Sequence, residues 1–241
     1  MAKIVFLSGA GLSAPSGIRT FRDAGGLWEE HDVMEVCSTQ GYEANPQKVH
    51  AFYDKRRQEL ADKKPNCAHE MIARLKREFK NEVAVITQNV DDLLERAGCE
   101  DVIHVHGLLT HLRCLDCGGI FYHGYGSQDG VQCLTCKSLH VRHHVVMFGE
   151  AAPLYTRMQE ELNDAKLLVC IGTSGQVVNV AWMASWVEDS ILNNLESDPN
   201  LDPYFKQSFI MSATQAAPKI EAYCRQFLAK ELGLSEKKND E

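Results

Sequence analysis

The sequence predicts an α/β fold: a mostly parallel sheet flanked by helices, with a smaller domain beside it. Three observations carry this expectation. Short apolar runs alternate with amphipathic stretches, the pattern left by βα units. The run Ile4-Val5-Phe6-Leu7 leads at once into Gly9-Ala10-Gly11, as a buried strand leads into a ligand-binding turn. Residues 24–64 and 108–146 break the alternation, the second with two Cys-x-x-Cys pairs and no helical pattern.

Strands are expected at 3–8, 83–87, 102–106, 167–172 and 208–212, and helices at 46–63, 67–80, 90–97, 153–164, 177–189 and 216–232. The first helix opens on Asn45-Pro46, with proline where no amide partner is needed. Asn66 can cap the second, and Gly98 ends the third. The runs VAVIT and LLVCI are short, apolar and rich in β-branched residues, as strands buried on both faces are.

A chain of 241 residues with 44% hydrophobic and 24% charged residues holds one substantial core and a small second module. The formal charge of −8 argues against nucleic acid as a partner and favours basic substrate tails. No apolar run approaches the roughly 20 residues of a membrane span. Nine cysteines, an odd number, do not form a secreted disulfide framework, so a reducing, cytoplasmic setting is expected.

Cys114, Cys117, Cys133 and Cys136 form two knuckles separated by fifteen residues. That spacing turns four thiolates toward one point and predicts a tetrahedral zinc site with no open position, hence a structural metal. Completion by His111, His123 or His140 is unnecessary. Cys37, Cys67, Cys99, Cys170 and Cys224 read as small core residues.

Polar residues gather at the strand ends, where open α/β sheets bind ligands. Gln88, Asn89 and Asp91 follow VAVIT, although Asn89 could simply cap a helix whose dipole favours Asp91. Alternation puts His104 and His106 on one strand face, with His106 at its carboxyl end. A histidine there is either a core residue or a general base near neutral pH. Gly172-Thr173-Ser174 ends the next long strand with amides and hydroxyls suited to phosphate or ribose.

Together GAGLSAPSGIRTFR, TQNVDD, HVHG, the cysteine quartet, VMFGE and GTSGQV resemble the sirtuin family of NAD-dependent protein-lysine deacylases, in family order from residue 3 to about 180. The resemblance implies a Rossmann-like NAD-binding domain from 1–23, 65–107 and 147–241, and a small domain from 24–64 and 108–146 made of a helical insert and a zinc ribbon. It implies that Gly9, Ala10, Gly11, Ser13, Phe21 and Arg22 line the NAD site. Gln88 and His106 then address the nicotinamide ribose, Asn89 and Asp91 the carboxamide, and Gly172, Thr173 and Ser174 the phosphate and ribose. Asn194 and Glu196 take the ribose and adenine side, although the strand the family places before this Asn-x-Glu is not evident here. Val146, Met147, Phe148 and Gly149 form the edge to which a substrate peptide adds as a strand. The implied reaction converts acyl-lysine and NAD into lysine, nicotinamide and O-acyl-ADP-ribose, with His106 as base and Asn89 beside the leaving group.

Tyr53 and Arg56, three apart on one helix, share a face. They read either as part of a solvated basic face or, by resemblance to the class III sirtuins, as a reader of succinyl or malonyl groups. Cys37 stands where that class has alanine. A monomer is expected. The competing functions are ADP-ribosyl transfer or NAD hydrolysis on the same fold, and a non-enzymatic module docking through its zinc ribbon, against which Asn89, Asp91 and His106 speak.

Overall fold

The computed structural model describes residues 3–20 and 32–233. Its centre is a six-stranded parallel sheet built from β1 (Ile4–Ser8), β2 (Val83–Thr87), β3 (Val102–His104), β7 (Leu167–Ile171), β8 (Asp189–Asn194) and β9 (Gln207–Ile210), in the order β3-β2-β1-β7-β8-β9. β1 pairs with β2 on one side and β7 on the other, so the chain reverses its direction of travel across the sheet there. Such a switch point opens a crevice outside the strands' carboxyl ends.

Both faces of the sheet are covered. Ile4 and Phe6 of β1, with Leu167, Val169 and Ile171 of β7, pack on the helices Cys67–Glu78 and Ala213–Glu231. Val5, Leu7, Leu168 and Cys170 face the other way, onto Leu154–Asn163 and the short helix Val180–Ala184. The two-residue period of a strand thus distributes one apolar run between two cores.

A second, three-stranded antiparallel sheet, β5-β4-β6, is built from β4 (Gly107–Cys114), β5 (Ile120–Tyr122) and β6 (Val141–Val145). The helix Pro46–Leu60 packs on it through Val49, Phe52, Tyr53 and Leu60, which meet Leu109 and Val145. Arg57 is fully buried here; its guanidinium donates to the carbonyls of Leu109 (2.7 Å), Gly126 (3.1 Å) and His111 (3.4 Å).

Caps follow the sequence closely. Asn45 accepts from the Lys48 amide at 3.0 Å, and Asn66 accepts from Ala68 while His69 reaches back to the Asn66 amide. Several boundaries differ from expectation. The helix foreseen at 90–97 is reduced to Leu93–Arg96, and that at 177–189 to Val180–Ala184. β8 falls where no strand was expected: DSILNN carries two Asn, an Asp and a Ser, residues of poor strand propensity. Tertiary context overrides propensity, because β8 pairs on both sides and its buried polar groups find partners. Asn193 donates to the carbonyls of Phe209 (2.8 Å) and Met211 (2.9 Å), and Ser190 accepts from the Lys206 amide.

The last helix starts at Ala213, a turn before the expected 216, because Ser212 and Gln215 form a capping box. Pro218 lies inside it and cannot donate to the Thr214 carbonyl. The Cys67 thiol donates to that carbonyl instead, at 3.5 Å. Cys67 is exposed rather than a core residue, whereas Cys37, Cys99, Cys170 and Cys224 are buried as expected.

Candidate active site

Glycines bring two loops of the switch point together. The Gly9 amide donates to the Ile171 carbonyl, and the Gly11 amide to that of Gly172. A Cβ on Gly9 would stand 2.6 Å from the Gly172 oxygen, and one on Gly11 2.6 Å from the Gly172 Cα. Gly172 has φ +67°, and a Cβ there would meet the Gly11 backbone at 2.4 Å. The glycines are therefore required first by backbone lying against backbone. The result is a floor bare of side chains, onto which phosphate groups can settle. The chain after Gly9 turns into a short helix, Ala10–Ser13, and Gly17 ends the following turn at φ +80°.

Beside this floor, a polar group is fixed by donor and acceptor logic. The Asn66 amide donates to His69 Nδ1, so Nε2 carries the proton and donates to Ser13 Oγ at 3.2 Å. Ser13 also accepts from Asn89 Nδ2 (3.2 Å) and donates to Asp91 Oδ2 (2.9 Å). Asn89 Nδ2 additionally donates to the Gly9 carbonyl, which joins the second strand end to the first loop. His69 is fully buried, and that burial holds its pKa down to about 4. Burial also pushes the Asp91 carboxyl above the usual carboxylate range, against the pull of the Leu93 amide and the Ser13 hydroxyl.

The next strand differs from expectation at its end. β3 stops at His104, and residues 105 and 106 turn away before Gly107, which has φ +86°. His104 Nδ1 meets the Asn89 carbonyl at 3.1 Å and Nε2 meets Glu95 Oε1 at 2.7 Å, so both nitrogens donate and the ring is an imidazolium. Burial opposes that charge, but the Glu95 carboxylate and the Asn89 carbonyl outweigh it and raise the pKa.

His106 is in the other state. Nδ1 faces the Gln88 carbonyl at 3.0 Å, which can only accept, so Nδ1 holds the proton and Nε2 offers its lone pair. Nε2 accepts from the Tyr155 hydroxyl at 2.9 Å. Burial lowers the His106 pKa, opposed by the Gln88 carbonyl. A neutral imidazole with Nε2 as its base thus belongs to this cleft. Gln88 Nε2 donates to Thr173 Oγ1 (2.9 Å) and Asn194 Nδ2 to the Thr173 carbonyl (2.9 Å), which ties three strand ends into one rim.

A cleft of about 1150 Å³ opens over this rim. It brings together Gly9, Ala10, Gly11, Ser13, Gln88, Asn89, Asp91, His106, Gly172, Thr173, Ser174, Asn194 and Glu196. It also takes in Tyr53, Arg56 and the segment Val146, Met147, Phe148 and Gly149. Phe21 and Arg22 lie outside the described residues. Sequence reasoning missed His69 and Tyr155. His69 had a signal, since a histidine three residues after Asn66 completes a reciprocal cap; a first-turn tyrosine such as Tyr155 has none.

One wall of the cleft carries Tyr53, Arg56 and Cys37. The Tyr53 hydroxyl and the Cys37 thiol are hydrogen-bonded, and burial raises both pKa values. Burial also lowers Arg56, whose guanidinium carbon lies 5.7 Å from the Phe52 ring centroid. The neighbouring edge is partly committed. Phe148 donates its amide to the Cys37 carbonyl and accepts from the Thr39 amide, while the Met147 amide donates to Glu150.

Apart from the cleft, Cys114, Cys117, Cys133 and Cys136 hold their sulfurs within 4.8 Å of one another. The pairs Cys114–Cys136 and Cys117–Cys133 stand 3.5 and 3.6 Å apart. Thiolates 2.3 Å from a tetrahedral zinc stand about 3.8 Å apart. The quartet fits zinc.

A glycine floor at the switch point, next to an imidazole whose proton-accepting nitrogen shares the cleft, places this chain among Rossmann-type nucleotide-binding proteins. The Sir2 family profile matches residues 9–179, and the chain belongs to the Sir2 family. It is 54% identical over 228 residues to an NAD-dependent protein deacylase of Campylobacter jejuni (strain RM1221), covering 95% of this chain and 98% of the relative. A solved complex of a Sir2 homolog with NAD superposes with a TM-score of 0.81 at 34% identity, over 93% of this chain and 90% of that one. A Sir2 variant solved with deacetylated p53 peptide and 3′-O-acetyl-ADP-ribose gives a TM-score of 0.77 at 26% identity, covering 91% and 92%.

Proposed function

We propose that this chain is an NAD-dependent protein-lysine deacylase that removes acidic acyl groups, succinyl and malonyl, in preference to acetyl. The observation that carries the reading is one cleft shared by the glycine floor, the neutral His106 and the Tyr53–Arg56 wall. NAD, when bound, supplies a ribose carbon that accepts the acyl oxygen as nicotinamide leaves. Gly9, Gly11 and Gly172 leave room for its phosphates, Thr173, Asn194 and Glu196 hold the ribose and adenine side, and Asn89 and Asp91 fix the carboxamide. His106 takes a proton from a ribose hydroxyl through Nε2, and its lowered pKa keeps that lone pair available at neutral pH. Arg56 pairs two-pronged with the distal carboxylate of an acidic acyl chain while Tyr53 adds a hydrogen bond. The peptide backbone lies against 146–149, and the zinc is structural.

On this reading residues 24–64 and 108–146 form the small domain that bears the acyl wall, and the protein works as a cytoplasmic monomer. None of the described helices is long and apolar enough to cross a membrane. The test is mass spectrometry of acetyl-, malonyl- and succinyl-lysine peptides, with and without NAD. Loss of the acyl mass only with NAD, fastest for succinyl and malonyl, is expected. Nicotinamide release without any acyl-peptide would instead indicate NAD hydrolysis.

A further inference from the structure

Among the described residues, Tyr155 is the side chain on the base's reactive nitrogen that the reaction above leaves without a task. It stands in the first turn of the helix Leu154–Asn163, which packs beside β3, and it lines the cleft. Its ring centroid lies 6.0 Å from that of His106, and its hydroxyl meets Nε2 at 2.9 Å. Because the Gln88 carbonyl already fixes the proton on Nδ1, the phenol is the donor and the base lone pair is its acceptor. We infer that Tyr155 is a positioning residue for His106: its hydroxyl occupies, before cofactor binds, the place of the ribose hydroxyl that His106 deprotonates, and is exchanged for it on binding. This rests on His106 being the base.

The exchange follows from hydrogen-bond accounting. A half-buried imidazole nitrogen left without a partner is costly. The phenol satisfies Nε2 and adds a second anchor to the one the Gln88 carbonyl provides at Nδ1, so that an arriving sugar hydroxyl replaces one O–H donor with another. The net proton transfer is unchanged: the proton leaves the ribose hydroxyl for Nε2, and Tyr155 keeps its own.

A donor on the lone pair stabilises the neutral ring, so its removal must raise the His106 pKa. Other titratable groups stand on the elements around the ring. Asp91 follows β2, His104 with its partner Glu95 belongs to β3 and the helix before it, and Glu150 pairs with Arg142 beyond the 146–149 segment. Tyr155→Phe leaves all of these in place.

The test is NMR titration of His106, assigned by the signal missing from His106→Ala, in wild-type and Tyr155→Phe protein, free and saturated with ADP-ribose. The free variant is expected to titrate about half to one pH unit higher than free wild type. With ADP-ribose the two should coincide. In kinetics, the acidic limb of kcat/KM for NAD moves up in the variant while that of kcat stays. Equal His106 values in the two free proteins would overturn the contact. An offset that persists with ADP-ribose would overturn the exchange. Retained turnover by His106→Ala would sink the base reading instead, and the NMR contact would stand apart from it.

Discussion

His69 and His104 flank the same polar floor and respond to pH with opposite signs. His69 is neutral in the fold with a pKa near 4, whereas the unfolded chain takes up a proton near 6.5. Its contribution is present above pH 6.5 and fades as pH falls toward 4, a loss on the order of 3 kcal/mol. His104 has a raised folded pKa, so its pairing with Glu95 stabilises below pH 6.5 and is lost as pH climbs through that raised value. Urea midpoints measured across pH should therefore fall on the acid side, with a shallower slope in His69→Gln. Glu95→Gln should remove the decline on the alkaline side. For catalysis, His106→Ala should lower kcat by about 100-fold or more at saturating NAD while zinc content and circular dichroism stay unchanged. Near-wild-type turnover would remove it as the base. Arg56→Met should raise KM for succinyl-peptide about tenfold or more and leave acetyl-peptide little affected, since a charged hydrogen bond is lost only with the acidic chain. Equal losses on both peptides would assign Arg56 to folding or cofactor binding.

Among the elements, the helix Cys67–Glu78 shows how a cap reaches the site. Asn66 accepts from Ala68 to start the helix, and its Nδ2 donates to the Leu12 carbonyl (2.9 Å) and Ser16 Oγ (3.0 Å) in the glycine loop. Asn66→Ala should cost about 1–2 kcal/mol from the cap alone. Its Tm should fall by roughly 2–4 °C or more, and KM for NAD should rise as the loop loosens. A Tm loss with unchanged KM would limit Asn66 to capping. This helix was legible in the sequence because Asn66, an amphipathic period and an apolar strand behind it all agree. β1, β2 and β7 were legible for the same reason: VAVIT and LLVCI look buried before any partner is known. β8 was not, because its polar residues find partners in distant segments, Asn193 at Phe209 and Met211, Ser190 at Lys206 and Asn194 at Thr173, contacts that no local window contains. Residues that follow a strand directly, as at 9–11, 88–91 and 172–174, can be picked out in a local window, and they line the cleft. Partners that come from afar cannot. Tyr155 lies 49 positions from His106, and the Cys37 carbonyl occupies the amide of Phe148.

In the whole molecule, two sheets divide the labour. The parallel sheet carries the glycine floor, His106 and Asn89, while the antiparallel one carries the cysteine quartet and supports the helix of Tyr53 and Arg56. One zinc per chain is expected by elemental analysis. Cys117→Ser, or chelation, should unfold the antiparallel sheet, seen as lost hydrogen-exchange protection in 107–145 with the parallel sheet still protected. Active protein free of zinc would contradict this. Arg57 makes the division consequential, because the residue beside Arg56 is anchored by three carbonyls of the metal-bearing half. The pharmacology of such a protein therefore separates into two handles. A nucleotide mimic would engage the glycine floor and the strand ends, whereas, if the proposed acyl preference holds, a carboxylate extended toward Arg56 would engage a separate wall carried by the helix Pro46–Leu60.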